Sequence, residues 1–511
     1  MRPLPDSRWA RWVLPVLAGA VPVLAFPAPS LWWLAYVALV PWLLLLRAAP
    51  TPRAAALSGW LGGTGFMLAM HHWLVPNVHV FIVVLAALLG LLWLPWGWLV
   101  HRLLAGPPGA GRLWAAVLLV PSCWLLAELV RSWEYLGGPW GLLGASQWQV
   151  APALRLASVG GVWLLSFLVV AVNTALAALL TAPHARRGAL VALLSVAVLT
   201  GAVWTWAPRP QPDGSARIAV VQIGETGSRK ERFERGEELT RRLAGRGPDL
   251  IVWGESSVGY DLRSHPSLER RLTALSRLMG APLLVNVDSR RSDRPGIFKS
   301  SVLVDENGVT GQRYDKMRLV PFGEYIPARS LLGWATSVGR AAGEDRQRGQ
   351  RPVVMRADGL RFGPLICFET AFPDMSRHLT DMGARVLVAQ SSTSTFQHSW
   401  APQQHASLAA LRAAETGRPM VHATLTGVSA SFGPEGERAG QPLGTDASAV
   451  RLTKVPLATG TTLYVWFGDW PLLGAVAALV VYAALEGSRT VRGRRHAERV
   501  RTVSVSVPVH R

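Results

Sequence analysis

A short apolar run of the chain ends in Gly363-Pro364-Leu365-Ile366-Cys367-Phe368-Glu369. The run predicts a buried strand, and Cys367 stands where that strand ends. The only other cysteine, Cys123, lies inside a long apolar segment. A single thiol at a strand end, with acidic and basic residues upstream, is typical of a nucleophile rather than of half a disulfide.

Predicted strands and helices alternate on both sides of this run, across residues 207–460. The predicted strands are Arg217–Gln222, Asp249–Trp253, Pro282–Asp288, Ser300–Asp305, Val309–Tyr314, Val353–Ala357, Leu360–Cys367, Arg385–Gln390, Pro419–Ala423 and Val428–Phe432. The predicted helices are Glu231–Arg246, Pro266–Met279, Pro373–Gly383 and Pro402–Thr416. Many strands with few helices predict one α/β domain in which two sheets lie between layers of helices.

Two further chemical groups stand just past predicted strands. Glu255 follows Leu250-Ile251-Val252-Trp253, and Lys316 follows the second strand of a hairpin whose turn is Asn307-Gly308. Because α/β domains build their sites from loops at the carboxyl ends of strands, we expect Glu255, Lys316 and Cys367 to meet there.

These residues carry a family resemblance. Trp253-Gly254-Glu255-Ser256, the segment from Tyr314 to Pro327, and Gly363–Glu369 resemble the three signatures of the nitrilase (carbon–nitrogen hydrolase) superfamily. That resemblance implies a Glu-Lys-Cys triad on an αββα sandwich. Combined with the apolar segments described below and with Gly137-Gly138-Pro139-Trp140, the whole chain is similar to the apolipoprotein N-acyltransferase family.

The resemblance implies roles for the residues. Glu255 would be the general base, Cys367 the nucleophile, and Lys316 would stabilise the thiolate and the oxyanion, with the amide after Cys367 as a second donor. The implied supporting residues are Glu324, Glu369, Phe368 and Tyr325; the two glutamates would orient Lys316 or the incoming amine. The implied substrates are a phospholipid acyl donor and a diacylglyceryl-modified apolipoprotein acceptor, and no cofactor is implied.

The sequence departs from the family pattern at two places. Ser391-Ser392-Thr393 replaces the usual Asn-Asp pair after the strand that follows the nucleophile, which removes a carboxylate. A Trp expected a few residues after Gln222 is missing, with Lys230 and Glu231 nearby instead. These changes leave the triad intact, so we expect them to affect substrate contacts rather than chemistry.

Composition places the rest of the chain in a membrane. Half of its 511 residues are hydrophobic, 23 are Trp, and apolar residues dominate 9–206 and 464–485. Windows of about 20 apolar residues can cross a bilayer. The eight predicted spans are 10–26, 30–46, 55–75, 78–100, 113–130, 156–181, 188–206 and 464–485. We therefore expect a multi-span α-helical membrane domain (1–206), an extracytoplasmic nitrilase-like catalytic domain (207–460), and an eighth helix with a basic tail (461–511).

The net charge of +20 comes mainly from arginine. Basic residues flank the spans, as topology signals do, whereas no basic face with interleaved aromatic residues appears, which disfavours nucleic-acid binding. If the spans alternate, the flanking arginines fall on one side: Arg2, Arg8, Arg11, Arg47, Arg53, Arg102, Arg112, Arg186, Arg187, Arg489, Arg492, Arg494, Arg495, Arg499 and Arg501. Positive-inside counting then predicts cytoplasmic termini and a catalytic domain outside the cytoplasm, at the bacterial plasma (inner) membrane.

Some features allow two interpretations. Glu128, near the end of a span, is a functional acid or a structural partner of Arg131. The apolar stretch Ile326–Val338 is a mobile arm that admits lipid or a core helix of the domain. No His or Cys cluster has metal-ligand spacing, so we expect no metal, and nothing in the sequence demands more than a monomer. The competing functions are a membrane-anchored amidase and a transporter with an outer ligand-binding domain. A transporter predicts buried polar groups at the bilayer midplane, and little beyond Glu128 and Asn173 supports it.

Overall fold

The computed structural model describes residues 8–333 and 342–505. The N-terminal part is helical. Its α-helices are α1 (Arg8–Ala20), α2 (Val40–Ala48), α3 (Pro52–Met70), α4 (Val75–Val78), α5 (Phe81–Gly90), α6 (Leu94–Leu104), α7 (Ala110–Arg131), α8 (Ala151–Thr181) and α9 (Arg186–Trp206). Short 3-10 turns extend or link them at Val21–Ala25, Trp32–Tyr36, His72–Leu74, Leu91–Trp93, Glu134–Leu136, Leu143–Gln147 and Pro183–Ala185.

Helices occupy all eight predicted spans, but they differ in length and hydropathy. Within the described residues, five stretches are long and apolar enough to cross a membrane: Phe81–Leu104, Ala110–Arg131, Ala151–Thr181, Pro183–Trp206 and Trp470–Thr490. Two apolar helices, Trp9–Ala25 and Trp32–Ala48, are shorter. The helix of the third predicted span, α3, contains four glycines. The chain is therefore a membrane protein, and its complement of eight spans stays a prediction.

The helices of the sixth and eighth predicted spans begin at other positions than the apolar windows do. Helix α8 begins five residues earlier than position 156, at Ala151, and the backbone leaves helical geometry at Gly160 and Gly161. Leu463–Phe467 forms a separate short helix, α15, which ends at Gly468, and α16 (Trp470–Val505) begins after it. Both breaks lie at glycines, which adopt backbone angles that other residues avoid.

Buried tryptophans and glycines fill the interior of the helical part. Trp42, Trp93, Trp96 and Trp124 are fully buried, and each packs edge-on against Trp124 or Trp96 with ring centroids 4.8–6.0 Å apart. Helix α3 approaches them closely, since a Cβ on Gly62 would lie 2.1 Å from the Trp42 ring. Small residues that allow such close approach are typical of membrane helix packing.

The catalytic domain contains two sheets. The strands are β1 (Gln211–Gln222), β2 (Leu250–Trp253), β3 (Leu283–Arg290), β4 (Ile297–Asp305), β5 (Gly308–Asp315), β6 (Met355–Ala357), β7 (Leu360–Ile366), β8 (Val386–Ser391), β9 (Met420–Thr424), β10 (Ala430–Phe432) and β11 (Ala449–Thr459). The helices are α10 (Arg229–Arg241), α11 (Pro266–Met279), α12 (Arg329–Leu332), α13 (Pro373–Asp381) and α14 (Ala401–Thr416). One sheet has the order β11-β1-β2-β3-β4-β5, and the other β10-β9-β8-β7-β6.

The sheets pack face to face, as the sequence predicts. In β1, Ile218 and Val220 point into the core between the sheets, whereas Ala219 and Val221 join an outer core with residues of α10 and α11. This alternation is the period of two of a strand covered on both faces. Residues of α13 and α14 join the core that contains the second sheet, so the layers run αββα.

One strand escaped the sequence analysis. Strand β11 pairs antiparallel with β1, from Ala449 opposite Gln222 to Thr459 opposite Gln211. Apolar and polar residues alternate only over Val450-Arg451-Leu452-Thr453; Lys454 breaks the pattern, and Pro456 lies inside the strand. Proline inside a strand is compatible with a sheet edge, which is where β11 lies.

Candidate active site

Glu255, Lys316 and Cys367 all lie just beyond the ends of strands. Glu255 follows β2 and Gly254, Lys316 follows β5, and Cys367 follows β7. Gly254 permits the approach of the two sheets here, because a Cβ on it would lie 2.0 Å from the backbone nitrogen of Leu425. The Glu255 amide also donates to the carbonyl of Ser391, at 3.1 Å, which links β2 to the end of β8.

Lys316 is fully buried between two carboxylates. Its Nζ lies 3.1 Å from Glu255 Oε1 and 2.8 Å from Glu324 Oε1. Although burial lowers the pKa of Lys316, the charges of Glu255, Glu324 and Cys367 raise it above the ordinary value. Burial likewise opposes ionisation of Glu324, but Lys316 and Lys299 bring the pKa of that carboxyl down to about 2. Lys316 is therefore an ammonium and Glu324 a carboxylate at neutral pH.

Cys367 adopts a strained backbone conformation. Its φ is +52°, a region that residues with a side chain enter at a cost of about 1–3 kcal/mol and that clusters at functional sites. Two contacts accompany this geometry: the Cys367 Sγ donates to the Ser392 carbonyl at 3.8 Å, and the Cys367 carbonyl accepts from His405 Nε2 at 2.9 Å. The sharp turn presents the sulfur at the end of β7.

Cys367, the predicted nucleophile, is a thiol at rest. Burial and the charges of Glu255 and Glu324 raise the pKa of Cys367 to about 12, and the opposing effect of Lys316 is smaller. A thiol with such a pKa attacks only when a neighbouring base removes its proton as the reaction proceeds. A carboxylate at the position of Glu255 meets that need.

The four supporting residues occupy different surroundings. Glu324 contacts Lys316 directly, as expected. Glu369 instead accepts hydrogen bonds from Tyr314 OH (2.7 Å) and the amides of Met317 (2.7 Å), Arg318 (3.1 Å) and Ile366 (2.8 Å), so it orders the backbone beside Lys316 rather than its ammonium. Phe368 packs at right angles to Phe372, with centroids 5.0 Å apart. Tyr325 packs against Tyr135 and Arg348.

The segment after Cys367 rests on the helical part of the chain. A Cβ on Gly138 would lie 2.6 Å from the Phe368 ring, so the loop between α7 and α8 touches the residue after the nucleophile. Trp140 Nε1 in the same loop donates to Gln404 Oε1 at 2.9 Å, and Gln404 Nε2 donates to the Pro27 carbonyl at 3.0 Å. The Gly137–Trp140 motif therefore connects the membrane helices to the catalytic domain.

Glu128 and Arg131 hold this loop in place. Glu128 Oε1 accepts from Trp124 Nε1 (3.0 Å) and from the Leu143 amide (2.7 Å), and Arg131 donates to the carbonyls of Trp140 and Gly141. Each residue therefore binds the loop backbone rather than the other, and the choice between a functional acid and a structural partner of Arg131 stays a prediction. Asn173 is structural, since its side chain bonds to the backbone of Leu39, Ala35 and Val169.

Both departures from the family pattern lie near the site. Ser391 contributes its carbonyl to the Glu255 amide and Ser392 its carbonyl to the Cys367 thiol, so both contacts are made by the backbone and do not depend on the side chains. After Gln222 the chain turns at Gly224, whose amide donates to the Leu425 carbonyl at 2.8 Å.

Two features near the triad lay beyond the sequence analysis. Lys299, on β4, places its Nζ 2.9 Å from Glu255 Oε1 and 3.2 Å from Glu324 Oε1. His405, on α14, supports the Cys367 carbonyl. The position of Lys299 opposite Asp288 in the antiparallel β3–β4 pair was a signal from which its place in the site could have been predicted. No local feature of the sequence indicates the contact of His405.

Two expectations can be compared with the described residues directly. Cys123 and Cys367 are both free, with Cys123 buried in α7. Within residues 8–333 and 342–505, no group of three His, Cys, Asp or Glu could hold a metal ion.

The arm Ile326–Val338 is only partly described: Ile326 is buried, but residues 334–341 and the side chains of Leu331 and Leu332 lie outside the described part, so the arm stays a hypothesis.

Comparisons with known proteins identify both parts of the chain. Residues 217–463 match the carbon-nitrogen hydrolase family, and residues 18–175 match the apolipoprotein N-acyltransferase N-terminal domain. The apolipoprotein N-acyltransferase of Azotobacter vinelandii is 32% identical over 98% of this chain and 98% of its own length. That of Geobacter metallireducens is 29% identical over 93% of this chain and 95% of its own length.

Among solved structures, the chain is similar to Saccharomyces cerevisiae Nit3, a member of branch 10 of the nitrilase superfamily. The identity is 16%, covering 48% of this chain and 91% of that one, with a TM-score of 0.37. The matched family domains and the near-complete alignment with Azotobacter vinelandii place this chain in the apolipoprotein N-acyltransferase family.

Proposed function

We propose that this chain transfers an acyl chain from a membrane phospholipid to the α-amino group of the diacylglyceryl-cysteine of apolipoproteins. The name shared by its full-length relatives supports acylation of lipoproteins. The observation that carries the chemistry is the fully buried Lys316, held at 3.1 Å by Glu255 and at 2.8 Å by Glu324 beside Cys367. Its setting against the membrane helices supports a lipid substrate.

In the first half-reaction, Glu255 takes the proton from Cys367 as the sulfur attacks the ester carbonyl of the phospholipid. The carbonyl oxygen becomes an oxyanion, which the Lys316 ammonium and the amide after Cys367 stabilise. The ester C–O bond then breaks, and Glu255 returns the proton to the departing alkoxide. The products are a lysophospholipid and a thioester on Cys367.

In the second half-reaction, the neutral α-amino group of the acceptor attacks the thioester. Glu255 takes a proton from the attacking nitrogen and gives it to the departing Cys367 sulfur, which restores the thiol. The amide product is more stable than the thioester, so transfer runs forward. Water must be excluded from the acyl-enzyme, and the Gly137–Trp140 loop packed beside Phe368 contributes to that exclusion.

The attachment to membrane helices has an energetic purpose in this scheme. Both substrates carry long acyl chains, and lifting a chain out of the bilayer costs about 0.8 kcal/mol for each CH₂ group. An active site held at the membrane surface avoids most of that cost.

The proposal includes an orientation and a domain division. Arginines of two predicted cytoplasmic loops lie at one end of the helices: Arg47 donates to the carbonyls of Gly106 and Thr181, and Arg112 to that of Leu103. The catalytic domain contacts the opposite loops, which supports placing it outside the cytoplasm. The division is a membrane domain over 1–206, a catalytic domain over 207–460, and an eighth helix with its tail over 461–511. One chain supplies the whole triad, which favours a monomer.

The test uses purified full-length protein in proteoliposomes that contain phospholipid with a radiolabelled acyl chain. We expect a hydroxylamine-sensitive label on the protein, and its transfer to a diacylglyceryl lipopeptide with a free amino group. Cys367→Ala should abolish both, whereas Cys123→Ala, in a helix, should preserve both.

Three outcomes would contradict the proposal. These are transfer by Cys367→Ala at the wild-type rate, transfer of label without a thioester, or hydrolysis of a soluble amide by wild-type protein that never acylates the lipopeptide. The last result would instead support a membrane-anchored amidase.

A further inference from the structure

A second lysine lies within the candidate active site. Lys299 Nζ contacts three carboxylates, at 2.9 Å from Glu255 Oε1, 3.2 Å from Glu324 Oε1 and 3.7 Å from Asp288 Oδ2. Its side chain is 13% exposed. A lysine in a strand ordinarily places its ammonium in water, so this one is held inward by the negative charges around it.

The backbone fixes the position of Lys299 next to Lys316. The amide of Lys316 donates to the Lys299 carbonyl at 2.9 Å, and Lys299 faces Asp288 across the β3–β4 pair. Opposite residues of antiparallel strands place their side chains on the same face of the sheet. The two lysines therefore approach the glutamates from neighbouring strand ends.

Both ammonium groups bind the same two oxygen atoms. Glu255 Oε1 and Glu324 Oε1 each lie within 3.2 Å of Lys299 and of Lys316. We propose, building on the function proposed above, that Lys299 is a positioning residue that holds Glu255 by Oε1 and so leaves Oε2 to take the proton of Cys367. Its charge also offsets the second carboxylate, Glu324, which otherwise opposes a negative charge on the sulfur.

The electrostatics of Lys299 agree with this role. Desolvation lowers the pKa of Lys299, but Glu255, Glu324 and Asp288 together raise it well above the ordinary value, so the ammonium persists throughout the working pH range. The charged and titratable groups facing the cluster are Glu255, Asp288, Lys316, Glu324, Arg346, Arg232 and His405. Removing one cation from this set makes every proton in it harder to remove.

The experiment measures the rate at which iodoacetamide alkylates Cys367 as a function of pH, in full-length protein with Cys123→Ala so that one thiol remains. Lys299→Gln removes the charge and should raise the midpoint of the profile by about one pH unit. It should also lower kcat/KM for acyl transfer by about 10–100-fold. Lys299→Arg restores the cation and should return the midpoint toward that of the parent.

Two further variants make the result decisive. Asp288→Asn removes an anion that competes for Lys299, so its midpoint should shift in the opposite direction, to lower pH. Lys454→Gln removes an exposed lysine of β11, and should leave the profile unchanged. If Lys299→Gln fails to fold, as judged by gel filtration and circular dichroism, the Asp288→Asn shift decides the question.

An unchanged alkylation profile in folded Lys299→Gln, or a rise in the midpoint for Asp288→Asn, would overturn the role of Lys299. The alkylation measurement needs no lipid substrate. Failure of the parent protein to acylate a lipopeptide would therefore count against the proposed function alone, and a failed shift in an active enzyme would count against Lys299 alone.

Discussion

Single charges in the buried cluster determine both its reactivity and part of its stability. The pKa of Glu324 falls from an ordinary value of 4.5 to about 2, because Lys316 and Lys299 outweigh the effect of burial. A carboxyl with a lowered pKa in the folded state contributes stability that is complete above its unfolded pKa and is lost as the pH falls through the folded pKa. Protonation of Glu324 should therefore lower the stability of the catalytic domain as the pH falls from 4.5 to about 2.

Glu324→Gln tests this directly. The variant should be less stable at pH 7, because it leaves the buried ammonium groups with one partner fewer, by about 3 kcal/mol. The difference from wild type should shrink as the pH falls from 4.5 to about 2, measured by thermal unfolding. Glu238→Gln, which removes an exposed partner of Arg242 on α10, should show no such convergence. Parallel unfolding curves for Glu324→Gln and wild type would argue against an ionised Glu324.

The same substitution separates thiol reactivity from turnover. Glu324 raises the pKa of Cys367, so Glu324→Gln should speed alkylation of the thiol at neutral pH. Acyl transfer should nevertheless fall by about 100-fold, because Lys316 loses its 2.8 Å partner and with it its aim at the oxyanion. A parallel rise in both rates would show that Glu324 does not position Lys316.

At the scale of elements, the break in α8 joins a membrane helix to the catalytic domain. The helical segment after the break begins with the Val162 amide, which donates to the buried carboxylate Oε1 of Glu415 at 2.8 Å. Glu415 also accepts from Arg412 at 3.0 Å, and its carbonyl accepts from Thr462 at 2.6 Å. A carboxylate at the start of a helix binds free amides and favours the helix dipole. The break thus allows α14 to anchor on α8.

Gly161→Ala should disrupt this junction. Gly161 has φ +65°, and a Cβ there would lie 2.6 Å from the Tyr464 ring. The unfavourable backbone conformation and the clash should together cost about 2 kcal/mol or more, measured as a lower thermal unfolding temperature. Gly201→Ala is the matched control in α9: its Cβ would meet open space, so the change should be neutral or stabilise the helix by up to about 1 kcal/mol. Equal effects of the two substitutions would contradict the role of the break.

At the scale of the whole molecule, the contacts of the triad lie inside the catalytic domain, and a separate set of contacts joins that domain to the membrane helices. Glu255, Lys316 and Glu324 contact one another inside the catalytic domain, whereas Gln404 reaches across to Trp140 and Pro27. A substitution that weakens the docking of the catalytic domain on the membrane helices should therefore leave the geometry of Glu255, Lys316 and Cys367 unchanged. Under the proposed function, we expect docking to govern access of lipid to Cys367 and the contacts inside the catalytic domain to govern the chemistry.

Gln404→Ala tests that separation. Loss of two hydrogen bonds, each worth about 1 kcal/mol, should lower acyl transfer from bilayer phospholipid by about tenfold and leave the alkylation profile of Cys367 unchanged. Gln312→Ala, which removes an exposed contact between β5 and β6, should affect neither. A shifted alkylation profile in Gln404→Ala would mean that the triad depends on docking after all.

The sequence by itself determined what depends on neighbours along the chain. Apolar runs predict the spans and strands, and Glu255, Lys316 and Cys367 each follow a strand, so the αββα fold and three site residues could be identified from local pattern. Strand β11 was missed even so, since Lys454 and Pro456 interrupt its alternation and its partner β1 lies more than 200 residues away in the sequence.

Only the tertiary structure decided which distant groups share one space. The inward Lys299, the support of Cys367 by His405, the backbone contacts of Glu369 and the break in α8 all involve partners from separate elements. The physical reason is that buried charges and orphaned amides must find partners at packed interfaces, and the choice of partner depends on how sheets and helices meet rather than on the residues beside them.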